Sequence, residues 1–193
     1  LHHGGIANNT KVKLRWVDSE KLESEDDSAL RDVDAILVPG GFGERGTEGK
    51  IKAIRFAREN KVPYMGICFG MQMAVIEAVR ALGDMPQANS SELTPDNPQN
   101  IVGMMTEWQK GEALETRESN TDLGGTMRLG AYPCVIAKGS LAEKVYGSTE
   151  ISERHRHRYE VNMNFKAAFD KAGIAMSGMS PDGKLPEIIE RQD

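Results

Sequence analysis

Cysteine is scarce in this chain: two among 193 residues, Cys68 and Cys134. That excludes a disulfide framework and suits a reducing compartment, as do the ten methionines. No apolar run approaches the roughly 20 residues that span a bilayer. There is no surplus of positive charge either. Lys and Arg total 24 against 29 Asp and Glu, a formal net charge of −5, so no global field favours nucleic acid or an anionic membrane. No leader pattern stands at Leu1, and the expected location is the cytoplasm. Hydrophobic content of 39% is enough for one globular domain, read as residues 1–193, with a core of its own.

The periodicity is that of an α/β fold. Residues 11–17 alternate polar and apolar and predict a strand, and 18–32 a loop with a short helix. Residues 33–39 form a short apolar run suited to a buried parallel strand. It enters the glycine-rich Gly40-Gly41-Phe42-Gly43, and a helix is expected over 47–60. A second strand over 62–67 and a helix over 70–82 follow, with a right-handed crossover expected. Beyond a polar connection at 83–99, strands are expected at 101–108, 132–137 and 151–161, and 109–122 is poorly patterned. Residues 123–130 read as a mobile surface loop, 165–172 as a short helix, and 174–177 with 185–189 as a closing hairpin.

Between the second strand and its helix stands Gly66-Ile67-Cys68-Phe69-Gly70. This is the nucleophile-elbow pattern with cysteine in place of serine. A turn this sharp strains its central residue, and the chain passes so closely that only glycine fits on either side. The side chain is lifted to a helix N-terminus, where the dipole favours a thiolate. A buried structural cysteine between packing glycines is the competing reading. The adjacent glycines of residues 40–43 would lie at the carboxyl edge of the neighbouring strand and could turn N–H groups toward an oxyanion. A structural turn is the alternative there, and a dinucleotide loop fits poorly.

Residues 153–160 are also unusual. If extended, Arg154, Arg156 and Arg158 share one face, and His155, His157 and Tyr159 the other. An arginine here could hold a substrate carboxylate, or the strand could be a solvated edge. Zinc at His155 and His157 lacks further ligands at metal-site spacing, so no metal is expected. A base for the thiol is missing, because neither histidine is followed by an orienting carboxylate motif.

These residues together resemble the class I (triad) glutamine amidotransferases. The segments at 39–46, 88–92 and 106–108, with DLGGTMRLG at 122–130 and ERHRHRYEVN at 153–162, are similar to the C-terminal glutaminase domain of the CTP synthase family. The resemblance covers about residues 4–190. It implies a three-layer, flavodoxin-like fold with a mostly parallel central sheet, truncated here at both ends. It implies that Cys68 attacks the glutamine carboxamide and that Gly41 and the Phe69 N–H hold the oxyanion. Gly70, Met71, Gln72, Glu92 and Arg158 would complete the glutamine site, with Arg158 on the substrate carboxylate. The loop at 123–130 would belong to a lid that responds to GTP, an allosteric activator. Ammonia would pass to a synthetase domain of the same polypeptide that uses ATP, Mg2+ and UTP, in a homotetramer, and no cofactor would sit in this domain. Two departures stand out. Phe69 replaces the usual Leu, which need not matter if only its N–H is used, although a larger group near the pocket could alter access. The family's Phe-His-Pro-Glu motif, which carries base and orienting acid, does not occur, so the chain is read as a fragment expected to be nearly inactive alone. A non-catalytic glutamine-binding module and a cysteine hydrolase are the alternatives.

Overall fold

The elbow helix is the axle of the molecule. The computed structural model describes residues 1–104 and 127–191. Strand β1 (Ile36–Val38) leads through a loop to helix α3 (Thr47–Asn60), strand β2 (Tyr64–Gly66) and helix α4 (Phe69–Leu82). Two short helices, α1 (His2–Ala7) and α2 (Ser19–Ser24), come first. β1 and β2 pair in parallel, Ile36 opposite Tyr64 and Val38 opposite Gly66. Helix α4 is apolar nearly all round, as a helix surrounded by protein must be. Met73, Val75, Ile76 and Val79 are fully buried. They pack with Val38 of β1, Ile51 and Ile54 of α3, and Ile101 and Val102 of β4 (Asn100–Met104) in one core. Each such side chain contributes about 1.5–3 kcal/mol on leaving water.

A second layer follows. β3 (Asn89–Ser90) pairs in parallel with β4, which pairs antiparallel with β7 (Tyr159–Val161). The third sheet is antiparallel, in the order β6-β5-β8-β9, built from β5 (Arg128–Ile136), β6 (Glu150–His157), β8 (Ala175–Met179) and β9 (Pro186–Glu190). Helix α5 (Leu141–Tyr146) receives the Glu190 carboxylate on its first N–H groups, Leu141 at 3.0 Å and Ala142 at 2.7 Å. Helix α6 (Lys166–Lys171) buries Phe169 against α4. The α/β reading therefore holds, with parallel pairing among the described strands confined to β1–β2 and β3–β4.

Helix α3 spans the expected residues, and the closing hairpin forms around Gly183. Four expectations change. Residues 11–17 form no strand: Trp16 is 89% exposed, and alternation makes a strand only where a partner backbone accepts the pairing. Residues 128–130 are not a surface loop but the start of β5, with Arg128 buried. The single strand expected over 151–161 breaks at Arg158 into β6 and β7, which serve different sheets. The helix at 165–172 begins with a 3-10 turn, Met163–Phe165, capped by the Asn162 side chain. The expected extension of β4 to residue 108, the segment 109–122 and the lid residues 123–126 lie outside the described residues.

Candidate active site

Cys68 sits at the junction of β2 and α4 with φ 54° and ψ −108°, a backbone region that L-residues rarely adopt. Its neighbours show why the turn is tolerated. A Cβ on Gly70 would lie 2.1 Å from the Val38 carbonyl oxygen, and one on Gly66 would lie 2.5 Å from the Gly70 backbone. Both contacts are with main chain, which cannot swing away, so only glycine allows β1, β2 and α4 to meet this closely. The Tyr64 hydroxyl donates to the Gly70 carbonyl at 2.8 Å and ties the turn down.

The glycine loop after β1 arrives beside the thiol. A Cβ on Gly40 would stand 3.5 Å from the Cys68 Cβ, and one on Gly41 4.0 Å from the Phe69 ring. The Gly43 N–H donates to Glu92 Oε1 at 2.8 Å, so the loop and the connection after α4 are pinned together. From the other side come the residues around the β6–β7 break. The Cys68 Sγ lies 3.8 Å from the Arg156 carbonyl, and Gln72 Nε2 donates to the Tyr159 carbonyl at 2.7 Å. Arg158 Nε is buried with no hydrogen-bond partner among the described residues. The structure thus gathers Gly41, Cys68, Phe69, Gly70, Gln72 and Glu92 about one turn, with the Arg156–Tyr159 backbone against it. Met71 is half-buried on the core side of α4.

Two features of the elbow are set by burial. Phe69 does not narrow a pocket: its side chain is 1% exposed and packs into the main core, with the Lys50 ammonium 5.6 Å from its ring. At the thiol, burial works against the anion that a helix N-terminus favours. Burial pushes the Cys68 thiol above its ordinary value, the Phe69 N–H opposes that rise, and the Glu160 and Glu92 carboxylates add to it.

The histidines are flanked by carboxylates that sequence spacing did not reveal. His155 and His157 point the same way from β6, and Arg154 and Arg156 are exposed on the other face, as alternation requires. Arg158 leaves that alternation because the strand ends at His157. His155 Nδ1 is 2.7 Å from His157 Nε2, and His155 Nε2 is 3.4 Å from Glu187 Oε2. His157 Nδ1 faces the Tyr159 carbonyl at 3.2 Å and Glu160 Oε1 at 3.3 Å. Glu160 stands three residues after His157, a signal the sequence did offer, whereas Glu187 arrives on β9 and is visible only in the fold.

The sequence profile described as glutamine amidotransferase class-I matches residues 1–193. The chain belongs to the class-I glutamine amidotransferase family. This amidotransferase is 62% identical over its whole length to the CTP synthase of Rhizobium etli (strain CIAT 652) and 61% identical to that of Paramagnetospirillum magneticum. It spans 36% of the length of each. Its fold is similar to a solved structure of the glutaminase domain of Trypanosoma brucei CTPS with bound acivicin. The TM-score is 0.81 at 37% identity, over 93% of this chain and 66% of that one. No helix among the described residues of the amidotransferase is long and apolar enough to cross a membrane.

Proposed function

We propose that this chain is the glutaminase part of a CTP synthase, and that Cys68 is its nucleophile. The observation that carries the reading is the strained, positive-φ backbone of Cys68 between two glycines, with the Phe69 N–H on the thiol and Gly40 of the glycine loop packed beside it. The Cys68 sulfur attacks the side-chain carbonyl carbon of L-glutamine. The carbonyl oxygen becomes an oxyanion held by Gly41 and the Phe69 N–H, and the C–N bond then breaks. Ammonia leaves with a proton, and water hydrolyses the thioester to glutamate. Gly70, Met71, Gln72 and Glu92 shape the site for the amino-acid part of the substrate. Arg158, whose buried Nε has no partner among the described residues, takes its carboxylate.

Ammonia serves a synthetase domain that uses ATP and Mg2+ to aminate UTP to CTP, with GTP as activator, in a cytoplasmic homotetramer. The name CTP synthase, carried by the 62% identical relatives, supports the CTP-forming step. The acid–base group for Cys68 is neither His155 nor His157, since all four of their ring nitrogens face other partners. The 193 residues alone are therefore expected to turn over glutamine about 10²–10⁴-fold more slowly than a complete triad.

A glutamine-mimicking electrophile tests the assignment without needing a base for turnover. Mass spectrometry should find the adduct on Cys68, glutamine should protect against it, and Cys68→Ala should abolish it. Labelling of Cys134 instead, or none at all, would overturn the proposal and leave a bare glutamine-binding module.

A further inference from the structure

Five buried or half-buried groups close a ring beside the elbow. Arg128 Nη1 lies 3.2 Å from Glu160 Oε1, Glu160 Oε1 lies 3.3 Å from His157 Nδ1, His157 Nε2 lies 2.7 Å from His155 Nδ1, and His155 Nε2 lies 3.4 Å from Glu187 Oε2. Glu187 Oε1 returns to Arg128 Nη1 at 2.8 Å, a charge contact that is not an aligned hydrogen bond. Tyr132 roofs the ring, with Arg128 4.4 Å above its centroid and His155 edge-on at 5.4 Å. Nothing in the glutaminase chemistry above uses these groups.

Counting protons shows what such a ring needs. The two imidazoles make three contacts in line: Glu187 with His155, His155 with His157, and His157 with Glu160 and the Tyr159 carbonyl. The outer two face oxygen acceptors, and each contact requires one hydrogen. Two neutral imidazoles supply two. A third proton is therefore missing unless the cluster binds it. Adding it to one arginine and two carboxylates brings the buried charge to zero, which favours its retention.

A metal is the other candidate for the space, because His155, His157 and Glu187 each bring a ligand atom within 4.8 Å of the others. The geometry argues against it. Nitrogens about a tetrahedral zinc stand roughly 3.3 Å apart, given bond lengths of about 2.0–2.1 Å. Here they are in hydrogen-bond contact at 2.7 Å, and Arg128 already neutralises Glu187.

We infer that Arg128, Glu160, Glu187, His155 and His157 form a proton-holding ring that positions the Arg156–Tyr159 backbone against the glutamine site. The ring grips that segment at His155, His157 and Glu160, while its carbonyls meet Cys68 Sγ and the Gln72 amide. Losing the third proton leaves one of the three contacts without a hydrogen, so a ring lone pair faces an acceptor and the segment that carries Arg158 loosens. Burial agrees with where the proton rests: it pushes Glu160 up to about 7 and His157 down to about 4. The proton belongs to the coupled cluster and not to one residue. The other groups facing the ring are Tyr132 and Cys134 from β5, Glu153 from β6 and Cys68 at the head of α4.

This inference rests on the glutaminase reading for its effect on substrate, but the ring itself can be read independently. Nitrogen NMR of the histidine rings should show two neutral imidazoles at pH 6 and a single shared transition near neutrality. Two separate imidazolium titrations near pH 6.5 would overturn the ring, whatever Cys68 does. For the positioning role, the inhibition constant of the glutamine-mimicking electrophile is followed with pH, its maximal rate being kept apart because that also reports the thiolate. The wild-type constant should rise about tenfold between pH 6 and 8.5, the effect of roughly one pKa unit of coupling. Glu160→Gln, which carries its donor permanently, should stay low at both pH values, and Glu160→Ala should be high at both. A constant that ignores pH, or Gln and Ala variants that behave alike, would overturn the positioning role. Absence of any labelling would count against the glutaminase reading and leave the NMR result standing.

Discussion

At Cys68 the backbone carries strain that the rest of the structure holds in place. A non-glycine residue at φ 54° and ψ −108° costs about 1–3 kcal/mol. The cost is sustained because β1, β2 and α4 converge on Gly66 and Gly70, whose missing side chains leave no other path for the chain. Two ways of deleting the thiol should therefore differ. Cys68→Ala keeps a Cβ in the strained turn, and Cys68→Gly releases it. Glycine also loosens the unfolded chain, which works against it by about 0.4–1 kcal/mol. The strain is the larger effect, so Cys68→Gly should be the more stable variant by about 1 kcal/mol. Urea unfolding of the pair reads this directly. A glycine variant less stable than alanine would mean that the elbow is not strained.

Among the elements, α3 and α4 are joined by more than apolar packing. Glu77 on α4 is 3% exposed and receives Arg58 of α3 through Nε at 3.1 Å and Nη2 at 2.8 Å. Arg58 is only half-buried, but removing it strands the buried Glu77 carboxylate without its partner. Arg58→Met should cost about 1–3 kcal/mol. Arg58→Met combined with Glu77→Leu should recover most of it, and denaturation midpoints of the two variants check the contrast. Elements such as α3 were legible in sequence because Ile51, Ile54 and Ala57 repeat at helical spacing, a property of the segment itself. The elbow was legible for the same reason: its glycines, cysteine and apolar strand are contiguous. Residues 11–17 misled, since alternation names a face and not a partner. The break at Arg158 was hidden because it is set by two sheets drawing β6 and β7 apart. Glu187 could not be paired with His155 from sequence at all, because β9 meets β6 only through β5 and β8.

For the whole molecule, the buried ring couples folding to pH with two opposing signs. Glu160 is raised from an ordinary 4.5 to about 7, so between those values the folded chain holds a proton that the unfolded chain releases. Its contribution is complete below pH 4.5 and is lost as pH climbs to 7. His157 is lowered from 6.5 to about 4, so there the unfolded chain binds the extra proton, and its contribution grows as pH rises through the same interval. The two slopes cancel in large part between pH 4.5 and 6.5, and the wild type should show a flatter profile there than either group alone would give. Glu160→Gln removes one slope and leaves the other. Its thermal midpoint relative to wild type should therefore climb from pH 4.5 to 7 and level off beyond, in a series of melts at fixed ionic strength. A difference that stayed constant across that range would show that Glu160 is ionised throughout, and that Arg128 alone balances the carboxylates beside the elbow.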